Sequence, residues 1–385
     1  MSTVLLVYHS NWEIDENGDV IVNNEDMPTG ELEIDINAID DDHKINSLEE
    51  YKDFAGIKNQ PASSLKRRSA KLTASLPDEV DNSTNGNGVY FPPIRSQGRI
   101  GSCVAWATTY YQYTNTINKA RGVQTTTANT YSPMWTYNLC NNGEDEGTIG
   151  SWAYDVLLNM GAAIIEEVPI KTSISPASNY LSWHAEDEIW EHALHNRISD
   201  YTFFTTHYTV NGVDIESSYP VPMEGTPVTG PKDSDLDTLK TALNNGDVLA
   251  VSVCINSWKY KTIKNCNQPG IDNSHVGDIA AYVCDGFKGG HKMTLVGYND
   301  NIWVDINNND EIDDGEMGAF KIANSWGTGY GNKGFYWVAY DALNKESSVS
   351  GMENSDSRNG ILHSASAISV ENKDYASDIY LGMVY

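Results

Sequence analysis

The sequence predicts an α+β protein made of two facing halves, and three features carry that expectation. Helix signals crowd the earlier chain, over 102–121, 151–160, 181–197 and 236–243. Strand signals follow, over 248–255, 292–298, 319–323 and 334–340. No internal repeat or low-complexity tract breaks this order. With 385 residues, 40% of them apolar, the chain is long enough for one large domain or two smaller ones.

Taken in order, the chain opens with a hairpin: Trp12 and Ile14, a tight turn at Asn17-Gly18, then Val20 and Val22. Residues 46–60 read as a short helix, with Leu48, Tyr51, Phe54 and Ile57 at three-residue steps. Residues 61–75 are polar, carry Lys66-Arg67-Arg68 and read as an exposed linker. A new segment opens at Leu76-Pro77. The helix at 102–121 starts after Ser102 and is closed by Gly122, and the next is stopped by Gly161. The 181–197 helix is amphipathic through Trp183, Ile189 and Leu194, and its His192 and His195 belong to its polar side rather than to a zinc site. The fourth helix ends near Gly246. The chain thus divides into an N-terminal region 1–75, a central domain 76–345 and an extension 346–385. The apolar run at 379–385 reads as the start of a further domain.

The formal charge is -28, from 53 acidic against 25 basic residues. Phosphate binding needs clustered Lys and Arg, so nucleic acid and anionic membrane are disfavoured as partners. No apolar stretch is long enough to span a bilayer, and the run at 4–8 is too short for a signal peptide core. The five cysteines, Cys103, Cys140, Cys254, Cys266 and Cys284, leave at least one without an intramolecular partner. One reactive thiol with up to two disulfides is the natural division.

Cys103 is the candidate nucleophile. It stands at a helix start, where aligned backbone dipoles favour the thiolate. His291 follows Gly289-Gly290 and opens a strand, so its imidazole can take the thiol proton and return it to a leaving group. Asn324 offers an amide to hold that ring. Gln97 and the Cys103 backbone N–H stand where they can stabilise an oxyanion.

These residues sit in blocks that resemble the papain family of cysteine proteases. Gln97-Gly98-Arg99-Ile100-Gly101-Ser102-Cys103-Val104-Ala105-Trp106 is similar to the family's nucleophile block, and Asn324-Ser325-Trp326-Gly327 to its asparagine block. Leu76-Pro77-Asp78-Glu79-Val80-Asp81 resembles the start of the mature enzyme, and Cys140-Asn141-Asn142-Gly143 a segment of the substrate cleft. The resemblance implies a two-lobed fold, a helical left lobe and a β-barrel right lobe with the cleft between. It implies Cys103, His291, Asn324 and Gln97 as catalytic groups, and Gly101, Asn142, Gly143 and Trp326 along the substrate. It further implies a polypeptide substrate, a zymogen in which residues 1–75 are a prosegment or accessory domain covering the cleft, and a secreted or extracellular setting. The chain departs from the pattern where Ile100 replaces a cysteine that in many relatives pairs with the one matching Cys140, at Val104, and at Gly290. The Cys103-to-His291 spacing also exceeds the family's roughly 130–150 residues, and the extra chain falls mainly between 180 and 235.

A second signal lies between the histidine and asparagine strands. Asp305, Asn307, Asn309, Glu311, Asp313 and Glu316 fall at the ligand positions of a twelve-residue calcium loop, here flanked by strands. Asp310 stands where such loops carry glycine, and Asp tolerates the left-handed conformation better than most residues. A structural Ca2+ is expected there. Two other functions fit the same residues: a calcium-dependent binding or adhesion module on a protease scaffold, and an acyl transferase using the same thioester.

Overall fold

The computed structural model describes residues 12–15, 19–22, 26–31, 76–84, 89–204, 206–210, 213–217, 233–286, 288–344, 347–352, 358–359 and 364–370. The helix expected at 46–60 and the linker at 61–75 lie outside the described residues.

One long helix organises the first half. It starts as Cys103–Ala105, is wound as a π-helix over Trp106–Tyr113 and returns to α over Thr114–Arg121. Gly122 ends it at φ 66, a conformation glycine adopts without strain. The π segment is wholly buried and brings Trp106, Tyr110, Tyr111 and Tyr113 inside. Around the helix start pack Pro133–Cys140 and Gly150–Asn159, which share an apolar cluster with Ile100, Val104 and Ala105. The helix expected over 181–197 is broken in two, Ser178–Leu181 and Asp187–Leu194. The second piece begins afresh with Asp187 and Glu188 in its first turn, where acid complements the helix dipole. His192 meets Glu167 at 2.5 Å, an ordinary surface pair. The fourth helix is Asp233–Asn244.

The strands are β1 Trp12–Ile14, β2 Asp19–Val22, β3 Glu79–Asp81, β4 Asp200–Phe204, β5 Thr206–Val210, β6 Val213–Ser217, β7 Leu249–Cys254, β8 Trp258–Thr262, β9 Ile279–Asp285, β10 Gly290–Trp303, β11 Met317–Ala323, β12 Phe335–Ala339, β13 Arg358–Asn359 and β14 Ser364–Ser369. The expected hairpin is present as β1 and β2, with Trp12 opposite Val22. Apart from the β5–β6 pair, the strands form one sheet in the order β1-β2-β8-β9-β12-β11-β10-β7-β14-β4, with β3 also paired to β10 and β13 to β9. Side chains from β7, β8, β9, β10, β11 and β12 meet in a single cluster that includes Val251, Tyr260, Ala281, Met293, Phe320 and Val338. The sheet therefore curls round a common interior, as a barrel-like lobe requires. Strands from both sides of the boundaries expected at 75 and 345 share it: β2 pairs with β8, and β14 lies between β7 and β4. The fold is α+β as expected, but the order is less simple: β1, β2 and β3 precede the long helix, and the helix Asp233–Asn244 follows β4, β5 and β6.

Helix and sheet are tied together by side-chain bonds to backbone. Gln112 Nε2 donates to Val248 O at 3.0 Å and to Ser366 O at 2.6 Å. Tyr111 Oη donates to Asn324 O at 2.9 Å, which fixes the end of β11 against the middle of the helix. All five cysteines are free thiols, so the disulfides allowed by the count do not form. Cys140 instead donates its thiol to Thr136 O at 3.1 Å in its own helix.

Candidate active site

Cys103 lies at the first turn of the long helix and is fully buried, after Ser102, whose backbone is not yet helical. His291 opens β10 one residue in, opposite Val253 of β7, and is also fully buried. Its Nε2–H donates to Asn324 Oδ1 at 2.8 Å. The same oxygen accepts the Ser325 N–H at 2.7 Å, so the amide is held in one orientation. The other ring nitrogen, Nδ1, is buried without a hydrogen-bond partner among the described residues. Trp326 lies over the imidazole with ring centroids 4.8 Å apart and shields the His291–Asn324 contact from water.

Gln97 joins the two halves. Its side-chain Oε1 accepts from Ser325 Oγ at 2.6 Å and its N–H donates to Ser325 O at 2.7 Å. Its amide Nε2 is thereby aimed at Ile100 O, at 2.9 Å, on the approach to Cys103. His291, Asn324, Gln97 and Trp326 are thus linked through contacts at Asn324 and Ser325, and the Cys103 thiol lies against the backbone of Lys292, the residue after His291.

The cleft is not empty of protein. Residues 26–31 run through it. Pro28 O accepts from Trp326 Nε1 at 3.1 Å and from Gln97 Nε2 at 3.3 Å. Gly30 lies against Gly101 so closely that a Cβ would stand 2.0 Å from Gly101 O. Gly30 O accepts the Thr148 N–H at 2.9 Å, and the Glu31 N–H donates to Gly290 O at 3.2 Å. The backbone N–H groups of Gly30 and Lys292 lie on the Cys103 thiol. Glu31 turns its carboxylate inward, where Oε1 accepts from Lys292 Nζ at 2.8 Å and Ser252 Oγ at 2.6 Å.

This cover alters the protonation expected at a helix start. Burial, with the Glu31 charge second, pushes the Cys103 thiol up to about 12. Burial pushes His291 down to about 4, against the opposing Asn324 hydrogen bond. Both groups are neutral in the covered state, and the helix dipole is outweighed by desolvation.

Of the residues expected along a substrate, Gly101 and Trp326 touch the segment in the cleft. Asn142 and Gly143 do not. They form a left-handed turn at φ 56 and 82, exposed, with open space around Gly143. The backbone contact falls to Gly147 and Thr148, because Asp145 folds back to accept from Gly101 N at 2.9 Å and from Tyr137 Oη at 2.7 Å. A Cβ on Gly147 would stand 2.3 Å from Gly30 O. Sequence reasoning missed Glu31, Lys292 and Ser252. The available signal was Lys292 itself, a lysine inside a strand that is otherwise nearly all buried.

The expected calcium loop is the hairpin between β10 and β11, with Val304 N donating to Glu316 O at 3.0 Å. Asp310 adopts φ 59, the left-handed turn asked of it. Its carboxylates are already satisfied by protein donors. Lys264 Nζ meets Asp305 Oδ2 at 2.5 Å and Asp310 Oδ1 at 2.8 Å. Glu316 accepts from Ile306 N at 2.7 Å and Trp303 Nε1 at 3.0 Å. Asp313 Oδ2 accepts from the amides of Asn307 and Asn309 at 2.6 Å and 2.7 Å. Glu311 is exposed. Among the described residues, no three His, Cys, Asp or Glu side chains gather as a metal site.

No protein-family model and no curated protein matches the chain. Solved structures of papain-like cysteine proteases do resemble it. Xylellain, a cysteine protease from Xylella fastidiosa, is 20% identical with a TM-score of 0.47, over 78% of this chain and 89% of that one. Procathepsin B S9 from Trypanosoma congolense is 14% identical with a TM-score of 0.47, over 79% of this chain and 80% of that one. Bromelain from Ananas comosus, in complex with the E64 inhibitor, is 16% identical with a TM-score of 0.43, over 77% of this chain and 100% of that one. Likeness at this level carries no residue roles across. Among the described residues no helix is long and apolar enough to cross a membrane.

Proposed function

We propose that this chain is a papain-like cysteine endopeptidase, held covered by its own residues 26–31. The observation that carries the reading is the imidazole of His291. Its Nε2–H is committed to Asn324 Oδ1, which leaves the buried Nδ1 as a bare acceptor, and the Cys103 thiol lies against the backbone of the next residue, Lys292. A histidine fixed in that tautomer suits a single task, taking a proton at Nδ1.

The steps follow. Cys103 gives its thiol proton to His291 Nδ1, and the sulfur adds to a peptide carbonyl. The oxyanion receives hydrogen bonds from Gln97 Nε2 and the Cys103 N–H. The C–N bond breaks, the imidazolium proton goes to the departing amine, and a thioester remains. Water gives a proton to Nδ1 and adds to the thioester. The C–S bond breaks and the proton returns to sulfur. His291 lies beneath Trp326, so the departing amine belongs on the Trp326 side and the acyl part on the Thr148 side. Residues 28–31 run the opposite way, from Trp326 toward Thr148, which supports a cover that is not itself cut at Gly30.

Calcium at Asp305–Glu316 is a separate proposal, supported by the ligand spacing and the left-handed Asp310. It requires the ion to displace Lys264. It would act on stability and take no part in the chemistry.

The test uses the full chain and its Cys103→Ala variant. An epoxide of the kind that traps papain-like thiolates should label wild type at Cys103 once the cleft opens, and the variant should hydrolyse no peptide. Substantial turnover by clean variant protein sinks the assignment. Labelling without hydrolysis, with the acyl group passed to an added amine, would favour the transferase.

A further inference from the structure

The ion pair between Lys292 and Glu31 is buried almost completely, with side-chain exposures of 1% and 2%. Lys292 Nζ donates to Glu31 Oε1 at 2.8 Å and to Ser252 Oγ at 2.6 Å, and Ser252 Oγ in turn reaches the same carboxylate oxygen. The three groups form a closed triangle. Two of its corners, Lys292 and Ser252, belong to neighbouring strands at a paired position of the sheet. Only the third, Glu31, belongs to the segment that fills the cleft.

That difference has a chemical consequence. When residues 26–31 leave, Lys292 and Ser252 stay where the sheet puts them, one residue from His291. An ammonium in so dry a place is costly without a counter-ion. Among the described residues, Glu31 is its sole carboxylate partner. The next occupant that restores the triangle is another carboxylate at the end of a side chain of similar reach.

We propose that Lys292 and Ser252 form a specificity pocket for an acidic side chain of the peptide substrate, with glutamate preferred. The inference rests on the peptidase reading above. Gly30 marks the position beside Cys103, and Glu31 the position next to it on the Thr148 side. For a substrate that is the acyl side, so the acidic residue is the second one before the bond that breaks. Gln in its place keeps the length but leaves the ammonium without a charge partner. Leu removes the acceptor as well. A lysine there meets Lys292 directly.

Two measurements on the full chain test this and separate it from the peptidase reading. The first is cleavage of four matched peptides with Glu, Gln, Leu or Lys at that position. We expect kcat/KM for Glu to exceed Gln and Leu by roughly 10- to 100-fold. In Glu31→Gln, Lys292→Met, where neither buried charge is left alone, Leu should overtake Glu. Glu31→Gln, Lys292→Arg should keep the acidic preference. The second measurement does not need catalysis: titration of the same peptides into Cys103→Ala, Gly30→Ala, with and without Lys292→Met. The Glu peptide should bind at least roughly tenfold tighter than the Gln peptide, and only with Lys292 present. Cleavage with no rank change at Lys292→Met overturns the pocket and leaves the peptidase standing. Failure of all cleavage with the binding preference intact overturns the peptidase and leaves the pocket. Equal or undetectable binding in the titration overturns the pocket.

Discussion

Gly30 and Gly101 face each other so closely that any β-carbon on the first would stand 2.0 Å from the carbonyl oxygen of the second. Two backbones meet there with no room for a side chain, right beside Cys103. Gly30→Ala therefore should push residues 28–31 out of the cleft without touching any group that does chemistry. Overpacking of this kind costs about 1–3 kcal/mol. On a closed-to-open equilibrium that is a gain of roughly 5- to 150-fold in the open population. The readout is hydrolysis of a fluorogenic peptide by freshly purified full-length protein. A variant no faster than wild type says that residues 28–31 are not what limits access.

The covered site should leave a mark on the pH dependence of stability. His291, lowered from 6.5 to about 4, favours the folded chain above 6.5, and that contribution drains away as pH falls toward 4. Its full size is about 3 kcal/mol. Cys103, raised from 9.0 to about 12, has the opposite window: its contribution is whole below 9.0 and is lost as pH climbs toward 12. Denaturant unfolding of wild type, His291→Gln and Cys103→Ala isolates each from the many surface carboxylates. Wild type minus His291→Gln should shrink between pH 7 and pH 4, and wild type minus Cys103→Ala should shrink above pH 9. Differences that stay flat would mean that the two groups are not buried and neutral.

Much of this site was legible because it is written in local patterns. A helix start before Cys103, glycines ahead of His291 and the Asn324-Ser325-Trp326 block are short-range signals that survive without a structure. The strands β7, β10, β11 and β12 stood out as long apolar runs. Strands β8 and β9 did not: Trp258–Thr262 alternates with lysine over only five residues, and Ile279–Asp285 is a mostly apolar run that periodicity alone does not tell from a buried helix segment. Residues 26–31 could not be placed at all. Pro28 and Gly30 are held through backbone carbonyls, which every residue carries, and the one side chain that is read, the Glu31 carboxylate, meets a lysine 261 residues further along the chain. The 181–197 helix failed for a related reason: Trp190 Nε1 bonds to His184 O at 2.8 Å, a contact that stabilises the break rather than the continuation.

Gln97 offers a test of the proposed oxyanion site. Ser325 Oγ holds its Oε1 and leaves Nε2 to face Pro28 O in the covered state. In an active form that position falls to the substrate's oxygen. Gln97→Ala should lower kcat by roughly 10²- to 10³-fold with a smaller effect on KM. Gln97→Glu retains an acceptor for Ser325 but loses the donor, so it should fall with the alanine variant. A glutamate variant with near wild-type kcat would assign Gln97 to packing alone.

Lys264 decides how the Asp305–Glu316 hairpin responds to calcium. Its ammonium already bridges Asp305 and Asp310, so a divalent ion must compete with a charge the protein supplies itself. Removing that competitor by Lys264→Ala leaves Asp305, Asp310, Asp313, Asp314 and Glu316 crowded in one hairpin with less to offset their repulsion. The variant should melt lower than wild type in chelator and gain more from added calcium. Binding to the folded state alone contributes about 2.7 kcal/mol at a hundredfold excess over Kd. In a protein of this size that is a rise of several degrees in Tm. Asp305→Ala with Glu316→Gln should abolish the gain in either background. The hairpin delivers β11 and with it Asn324, so loss of calcium should also hasten self-digestion. If melting curves of Lys264→Ala with calcium and with chelator coincide, the hairpin is a lysine-latched turn and calcium has no place in it.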